Sequence, residues 1–109
     1  MNKKFFSMIG LAQKAGRVTS GEDACIMEIK SGRSKLVIVA MDSSDNTKKN
    51  FQRLCNFRNI PLIEYGTKEV LGKCIGKEYR AVLSIADHKF AKAIMNLYNQ
   101  GNRNQQGSS

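Results

Sequence analysis

This sequence predicts an α/β fold, a single-domain three-layer α-β-α sandwich with a small mixed four-stranded sheet, on three observations. The first is Leu36 to Met41, Leu-Val-Ile-Val-Ala-Met, an unbroken apolar run rich in β-branched residues and closed by the turn-forming Asp42-Ser43-Ser44. It is too short for a typical helix and reads as a strand buried on both faces. The second is that helical patterns flank it, with Cys25, Ile26 and Ile29 before and Phe51, Leu54 and Cys55 after. Helix, strand, helix in that order makes a βα-type crossover and a layered domain. The third is length: 109 residues without an internal repeat suffice for one core and not two, with a radius of gyration of about 13 Å.

From the N-terminus, Phe5, Met8, Ile9 and Ala12 share one face of a first helix over Lys3 to Ala15, and Gly16 follows as its C-terminal cap. Val18 and Thr19 form a very short strand or link. Ser20 then stands as N-cap three residues before Asp23, an imperfect capping box, for a second helix that runs to about Ser31 and stops at Gly32. Beyond the central strand, Ser43-Ser44-Asp45-Asn46 offers N-caps to a third helix reaching about Asn59, with Lys48, Lys49, Gln52 and Arg53 on its polar side. Pro61 prevents its continuation. Leu62 to Tyr65 is a short strand, Gly66-Thr67 starts a helical turn through Val70 and Leu71, and Ala81 to Ala86 is the last strand. Asp87 caps a final helix with Phe90, Ile94 and Leu97 on one face. The domain therefore spans residues 1–98. Residues 99–109 carry no apolar side chain to offset ordering entropy and are expected to form a disordered polar tail.

The net charge of +9, from 18 Lys plus Arg against 9 Asp plus Glu, implies a polyanionic partner. Nucleic acid fits better than a membrane, because the cations are scattered through the folded part and not gathered on one amphipathic helix. No run reaches transmembrane length, and Ser7, Gln13 and Lys14 interrupt the apolar start before it could act as a signal peptide. Cys25, Cys55 and Cys74 have no metal-type spacing, and their odd count fits reduced packing residues in a cytoplasmic protein.

An enzyme is hard to assemble from these residues. His88, the single histidine, adjoins Asp87 at a helix start, where capping or solvation is its expected role. Glu22 and Asp23 are adjacent on a helix and point about 100° apart, so they do not readily share a proton or a metal. Leu71-Gly72-Lys73-Cys74-Ile75-Gly76 lacks the Walker pattern, and its glycines read as a helix cap and a turn before the loop Lys77 to Arg80. Neither catalysis, a metal nor a small-molecule cofactor is expected.

The second helix is more informative. Cys25, Ile26 and Ile29 fall on one arc, while Asp23, Ala24 and Met27 fall on the opposite one. An outward face carrying Ala and Met at a helix start, where backbone amides are free to meet phosphate or base edges, is unusual for a merely solvated surface. Lys14 and Arg17 precede this helix in sequence, and Lys30, Arg33 and Lys35 follow. Glu22 and Asp23 favour the helix dipole and partly cancel its attraction for phosphate.

Several segments together resemble a known family: Gln13-Lys14-Ala15-Gly16-Arg17, Gly21-Glu22-Asp23-Ala24, Ser31 to Ala40, and Leu71 to Gly76, in order and up to about Ile94. They resemble the kink-turn-binding ribosomal protein superfamily of archaea and eukaryotes, and most closely its small bacterial branch of YlxQ type. The resemblance implies an α-β-α sandwich that binds sharply bent RNA, with the start of the second helix in the major groove beside tandem G·A pairs. Carried over by position, Gly21 is the close-approach glycine, Glu22, Asp23, Ala24 and Met27 belong to the reading segment, and Lys14, Arg17 and Lys30 meet phosphates. Lys77 to Ala81, including Tyr79 and Arg80, form the loop that covers a flipped-out nucleotide.

The chain departs from the family's Gly-x-Asn-Glu-x-x-Lys, having Asp23, Ala24 and Met27 at the three reading positions. An Asn both donates and accepts, whereas an ionised Asp only accepts and cannot donate to guanine O6. Ala24 lacks the acidic contact and Met27 the cationic one. At about 1 to 3 kcal/mol for each good base contact, selectivity for a kink-turn would be weakened or altered. The expected partner is structured RNA of kink-turn type, ribosomal or in another ribonucleoprotein, with no membrane. The alternative is a protein-interaction module on the same fold, with Ala24 and Met27 in an apolar contact patch.

Overall fold

A computed structural model describes the backbone of residues 2–107 and the side chains of residues 2–101. In order, the elements are α1 (Lys3–Lys14), β1 (Val18–Ser20), α2 (Glu22–Lys30), β2 (Leu36–Val39), α3 (Asp45–Arg58), β3 (Leu62–Glu64), α4 (Lys68–Cys74), β4 (Val82–Ile85) and α5 (His88–Gly107). The strands form one sheet in the order β1-β4-β2-β3. β2 runs parallel to β3, as the crossover through α3 requires, and antiparallel to β4, which in turn runs antiparallel to β1.

All four residues of β2 are buried because both sheet faces are covered. Leu36, Ile38, Leu83 and Ile85 point to a core shared with Phe5 and Ile9 of α1, Leu71 of α4 and Ile94 of α5. Val37, Val39 and Val82 point the other way, onto Cys25 and Ile29 of α2 and Phe51 and Cys55 of α3. The strand period of two thus divides one apolar run between two helix layers. The radius of gyration is 12.9 Å.

The chain closes on itself around Asn2. Its Oδ1 accepts from the amide of Phe5 and caps α1, while its Nδ2 donates to the carbonyl of Leu97 on α5 at 2.8 Å. Phe5, Phe6, Tyr65 and Tyr98 gather beside it with ring centroids 4.8 to 6.3 Å apart. Other caps lie where the side chains predict. Ser44 accepts from Thr47, Thr67 from Val70 and Asp87 from Phe90.

Three local expectations are corrected. Ser20 belongs to β1 and does not cap α2; the N-cap is Gly21, whose φ of 93° and ψ of 151° suit glycine alone. The central strand ends at Val39, and Met41 turns out into solvent because its amide donates to the carbonyl of Gly66. α4 runs beyond Leu71 to Cys74, which places Gly72 inside a helix. The last helix is drawn over His88–Gly107. Residues 108 and 109 of the expected polar tail lie outside the described residues.

Candidate nucleic-acid interface

At one end of the sheet, where β1 and β2 finish and β4 begins, the starts of two helices and one loop converge. Gly21 donates its amide to the carbonyl of Val82 at 3.1 Å, and this bond sets the start of α2 against the start of β4. No side chain caps the first turn of α2. Its leading amides have no intrahelical partner, and a glycine cap leaves them open to an incoming ligand. Asp23 and Ala24 are exposed on the outer face, and Met27, one turn on, is 72% exposed. The inner face holds Cys25 and Ile29, as the sequence periodicity predicts.

The remaining side chains of α2 anchor it. Thr47 Oγ1 donates to Glu22 Oε1 at 3.2 Å, tying the start of α2 to the start of α3. Glu22, expected within the reading segment, is therefore held against the protein. Glu28 accepts from Thr19 Oγ1 at 2.7 Å and from the buried Ser84 hydroxyl, which itself stands 2.7 Å from Ser34 Oγ. This carboxylate fastens α2 to β1 and β4. Burial, with Glu28, Cys55 and Glu22 adding to it, pushes the Cys25 thiol up to about 12, so it stays protonated and donates to the carbonyl of Thr19 at 3.4 Å. Burial likewise raises Cys55 to about 11 and shifts Cys74 upward. These are packing thiols and not nucleophiles.

The segment 76–81 lies beside the start of α2. Arg80 joins the two: its Nε donates to Ser20 Oγ at 3.1 Å, its Nη1 to the carbonyl of Tyr79 at 2.7 Å, and its backbone amide to Lys68 at 3.0 Å. Ala81 is half-buried, and its carbonyl accepts from the amide of Ala40 and from Ser43 Oγ. Lys77 and Tyr79 project from the loop, Tyr79 being 61% exposed. The loop rests directly on α4. A Cβ on Gly72 would meet the backbone of Glu78 and Tyr79, the latter's nitrogen at 2.9 Å. Gly76, with φ of 75°, makes the turn that the sequence predicts, but Gly72 is a close-approach residue and not a cap.

Gly21, Glu22, Asp23, Ala24, Arg80 and Ala81 thus come together, with Met27, Lys77 and Tyr79 at the margin. Lys14, Arg17 and Lys30 do not join them. The carbonyl of Arg17 accepts from Ala86, past the far end of β4 from Val82, a separation of about 13 Å at strand rise. Lys30 closes α2 at its other end, about 12 Å from Glu22 at helix rise. These three flank the helix start along the chain but stand apart from it in space, because β1 carries the chain away from Arg17 and α2 then carries it back. Sequence reasoning also missed Ser20, Thr47, Glu28 and Gly72. Their roles depend on partners distant in the chain.

Comparison with known proteins agrees with this architecture. The RNA-binding protein YlxQ of Bacillus subtilis (strain 168) is 40% identical over 94 residues, covering 86% of this chain and 94% of that protein. The large ribosomal subunit protein eL8 of Picrophilus torridus is 30% identical over 111 residues, covering 100% and 87% respectively. A solved structure of a protein with unknown function from Bacillus halodurans C superposes with a TM-score of 0.87 at 30% identity, over 91% of this chain and 99% of that one. Residues 3–95 match the Ribosomal protein L7Ae/L30e/S12e/Gadd45 family, and the chain belongs to that family.

Proposed function

We propose that this is a non-enzymatic RNA-binding protein of ribosomal-protein type. It would recognise a kink-turn or a related sharply bent RNA through the start of α2 and the loop before β4. The observation that carries the reading is the joining of an uncapped helix start at Gly21 to the loop 76–81 through Arg80 and Ser20, on a chain of net charge +9. The family and the name of the Bacillus subtilis relative support it.

Free amides at the start of α2 meet phosphate or base acceptors, and Gly21 lets the backbone approach closely. Asp23 accepts from amino or imino donors on base edges, such as adenine N6 or cytosine N4, and not from guanine O6. Tyr79 offers an exposed ring to an unstacked base, and Lys77 a cation to its phosphate. Lys14, Arg17 and Lys30 would touch the RNA farther along, as phosphate contacts that position without reading sequence. Ala24 and Met27 supply no polar contact, so shape and backbone recognition carry a larger share here than in a chain with the full motif. A ribosome or another cytoplasmic ribonucleoprotein would be the host particle, as the ribosomal relative suggests.

The test is a titration of the protein against a kink-turn RNA and a plain duplex of equal length, with Mg²⁺ and at two salt concentrations. Tighter binding to the kink-turn that persists at the higher salt is expected. Equal, salt-sensitive binding to both would remove the kink-turn and leave a general basic binder. No binding at either salt would favour the protein-interaction reading, in which the exposed Met27 belongs to a contact with another protein.

A further inference from the structure

The flank of α3 that faces β3 carries features the α2 site does not use. β3 is an edge of the sheet, hydrogen-bonded only to β2. Between it and α3 lies an open groove of about 890 Å³, rimmed by Lys49, Gln52, Arg53 and Asn56, with Leu62 and Tyr98 among its other walls. The four rim residues are exposed and recur at helical spacing on one face. Phe57, one turn beyond Arg53 and outside the groove's walls, is 80% exposed, more than any other large apolar side chain among the described residues. Glu64 is the single acid of the groove. Neither Lys49 nor Arg53 is in an ion pair; the only pair among the described residues is Lys73 with Glu69.

Two cations, two side-chain amides and an exposed ring, with little negative charge, make a surface suited to a single-stranded nucleic acid. Cations hold the backbone, amides both donate to and accept from base edges, and an aromatic face stacks an unpaired base. A peptide adding to the edge of β3 would find only the three residues Leu62–Glu64 to pair with. The groove and the first site lie on opposite flanks of α3: Thr47, in its first turn, bonds Glu22 at the start of α2, and Lys49, two positions on, points to the other side, so a strand leaving the α2 site crosses the start of α3 to reach the groove.

We infer that the groove between α3 and β3 binds single-stranded RNA, an unpaired segment continuing from the structured element held at the start of α2. Lys49 and Arg53 hold its phosphates, Gln52 and Asn56 meet base edges, and Phe57 stacks a base at the outer rim. The inference rests on the RNA-binding reading for the nature of the partner but uses separate residues.

Fluorescence anisotropy on the full chain tests it with three RNAs: a kink-turn alone, the same kink-turn with a single-stranded extension of about eight nucleotides, and that strand unlinked. The extension should tighten binding by about tenfold or more. Replacing both cations, Lys49→Gln with Arg53→Gln, should remove that gain and lower the salt slope by about 1.4, the value for two phosphates on a single strand. Phe57→Ala should reduce the gain by about tenfold, the loss of one stacked base. All three positions are exposed, so matching melting curves will show that the variants fold.

An extension that adds nothing would overturn the inference. So would variants that weaken the bare kink-turn as much as the extended one, or displacement of the free strand by polyglutamate as readily as by polyuridylate. Free-strand binding that depends on Lys49, Arg53 and Phe57, without preference for a kink-turn over a duplex, would sustain the groove and sink the reading of the α2 site.

Discussion

Gly72→Ala tests whether the loop before β4 owes its position to a missing side chain. An Ala Cβ at 72 would lie 2.6 Å from the carbonyl carbon of Glu78 and 2.9 Å from the nitrogen of Tyr79. Ordinary contact begins near 3.4 Å and the carbonyl oxygen of Glu78 is nearer still, so the loop must move by at least about 0.8 Å, and since all these neighbours are backbone no rotamer change relieves the clash. The move strains the bonds from Lys77 to the carbonyl of Gly72 at 2.8 Å and from Arg80 to that of Lys68 at 3.0 Å. Overpacking of this kind costs about 1 to 3 kcal/mol, against about 1 kcal/mol gained by replacing a helical glycine with alanine. Gly10→Ala is the control. It makes the same chemical change inside α1, where the new Cβ meets only the carbonyl of Cys74 at 3.5 Å. In urea denaturation followed by circular dichroism, Gly10→Ala should match or exceed the wild type. Gly72→Ala should lie about 1 to 3 kcal/mol below Gly10→Ala. In the kink-turn titration it should lose about fivefold or more, the worth of one hydrogen bond of about 1 kcal/mol. Equal stability of the two variants, with wild-type RNA affinity in both, would refute the reasoning.

Three other outcomes are expected. Met27→Lys restores a cation at an exposed position of α2 and should tighten kink-turn binding while steepening its salt slope by about one; a variant that binds less well would argue that Met27 faces a protein. Glu28→Ala leaves the Thr19 and Ser84 hydroxyls without their shared acceptor and should cost about 1 to 3 kcal/mol in urea denaturation, with loss at the wild-type level of scatter refuting the anchor. The raised Cys25 thiol keeps its proton in the folded state at pH values where the unfolded chain, near 9.0, loses it. Stability is then complete below about pH 9 and falls as pH rises toward 12, by on the order of 1 kcal/mol at pH 10. Cys25→Ala should show a shallower alkaline decline of the urea midpoint, and identical slopes would exclude this linkage.

Much of the fold is visible in local patterns. The apolar run at Leu36, the spacing of Phe5, Ile9 and Ala12, and the caps Ser44 and Asp87 depend on neighbours within a few residues. Such signals survive without knowledge of the tertiary arrangement. Ends of elements survive less well. Met41 leaves the strand because the carbonyl of Gly66 takes its amide, and Ser20 is a strand residue because its backbone pairs with Leu83 of β4. For the candidate site, the outward set of Asp23, Ala24 and Met27 follows from the helical period. The cations Lys14, Arg17 and Lys30 look adjacent to it only along the chain.

Periodicity and charge are properties of the chain, so the fold class, the two faces of α2 and the basic character can be read without any tertiary information. Other features needed distant segments to meet. Pairing of β1 with β4 brings Ser20 to Arg80 across 60 residues of sequence, and close packing makes Gly72 the seat of a loop that its helical surroundings do not announce. The groove beside α3 exists only once β3 takes the edge of the sheet. Such features arise from the relative placement of distant segments. That placement follows from burying one sheet between two helix layers, and not from any short stretch of sequence.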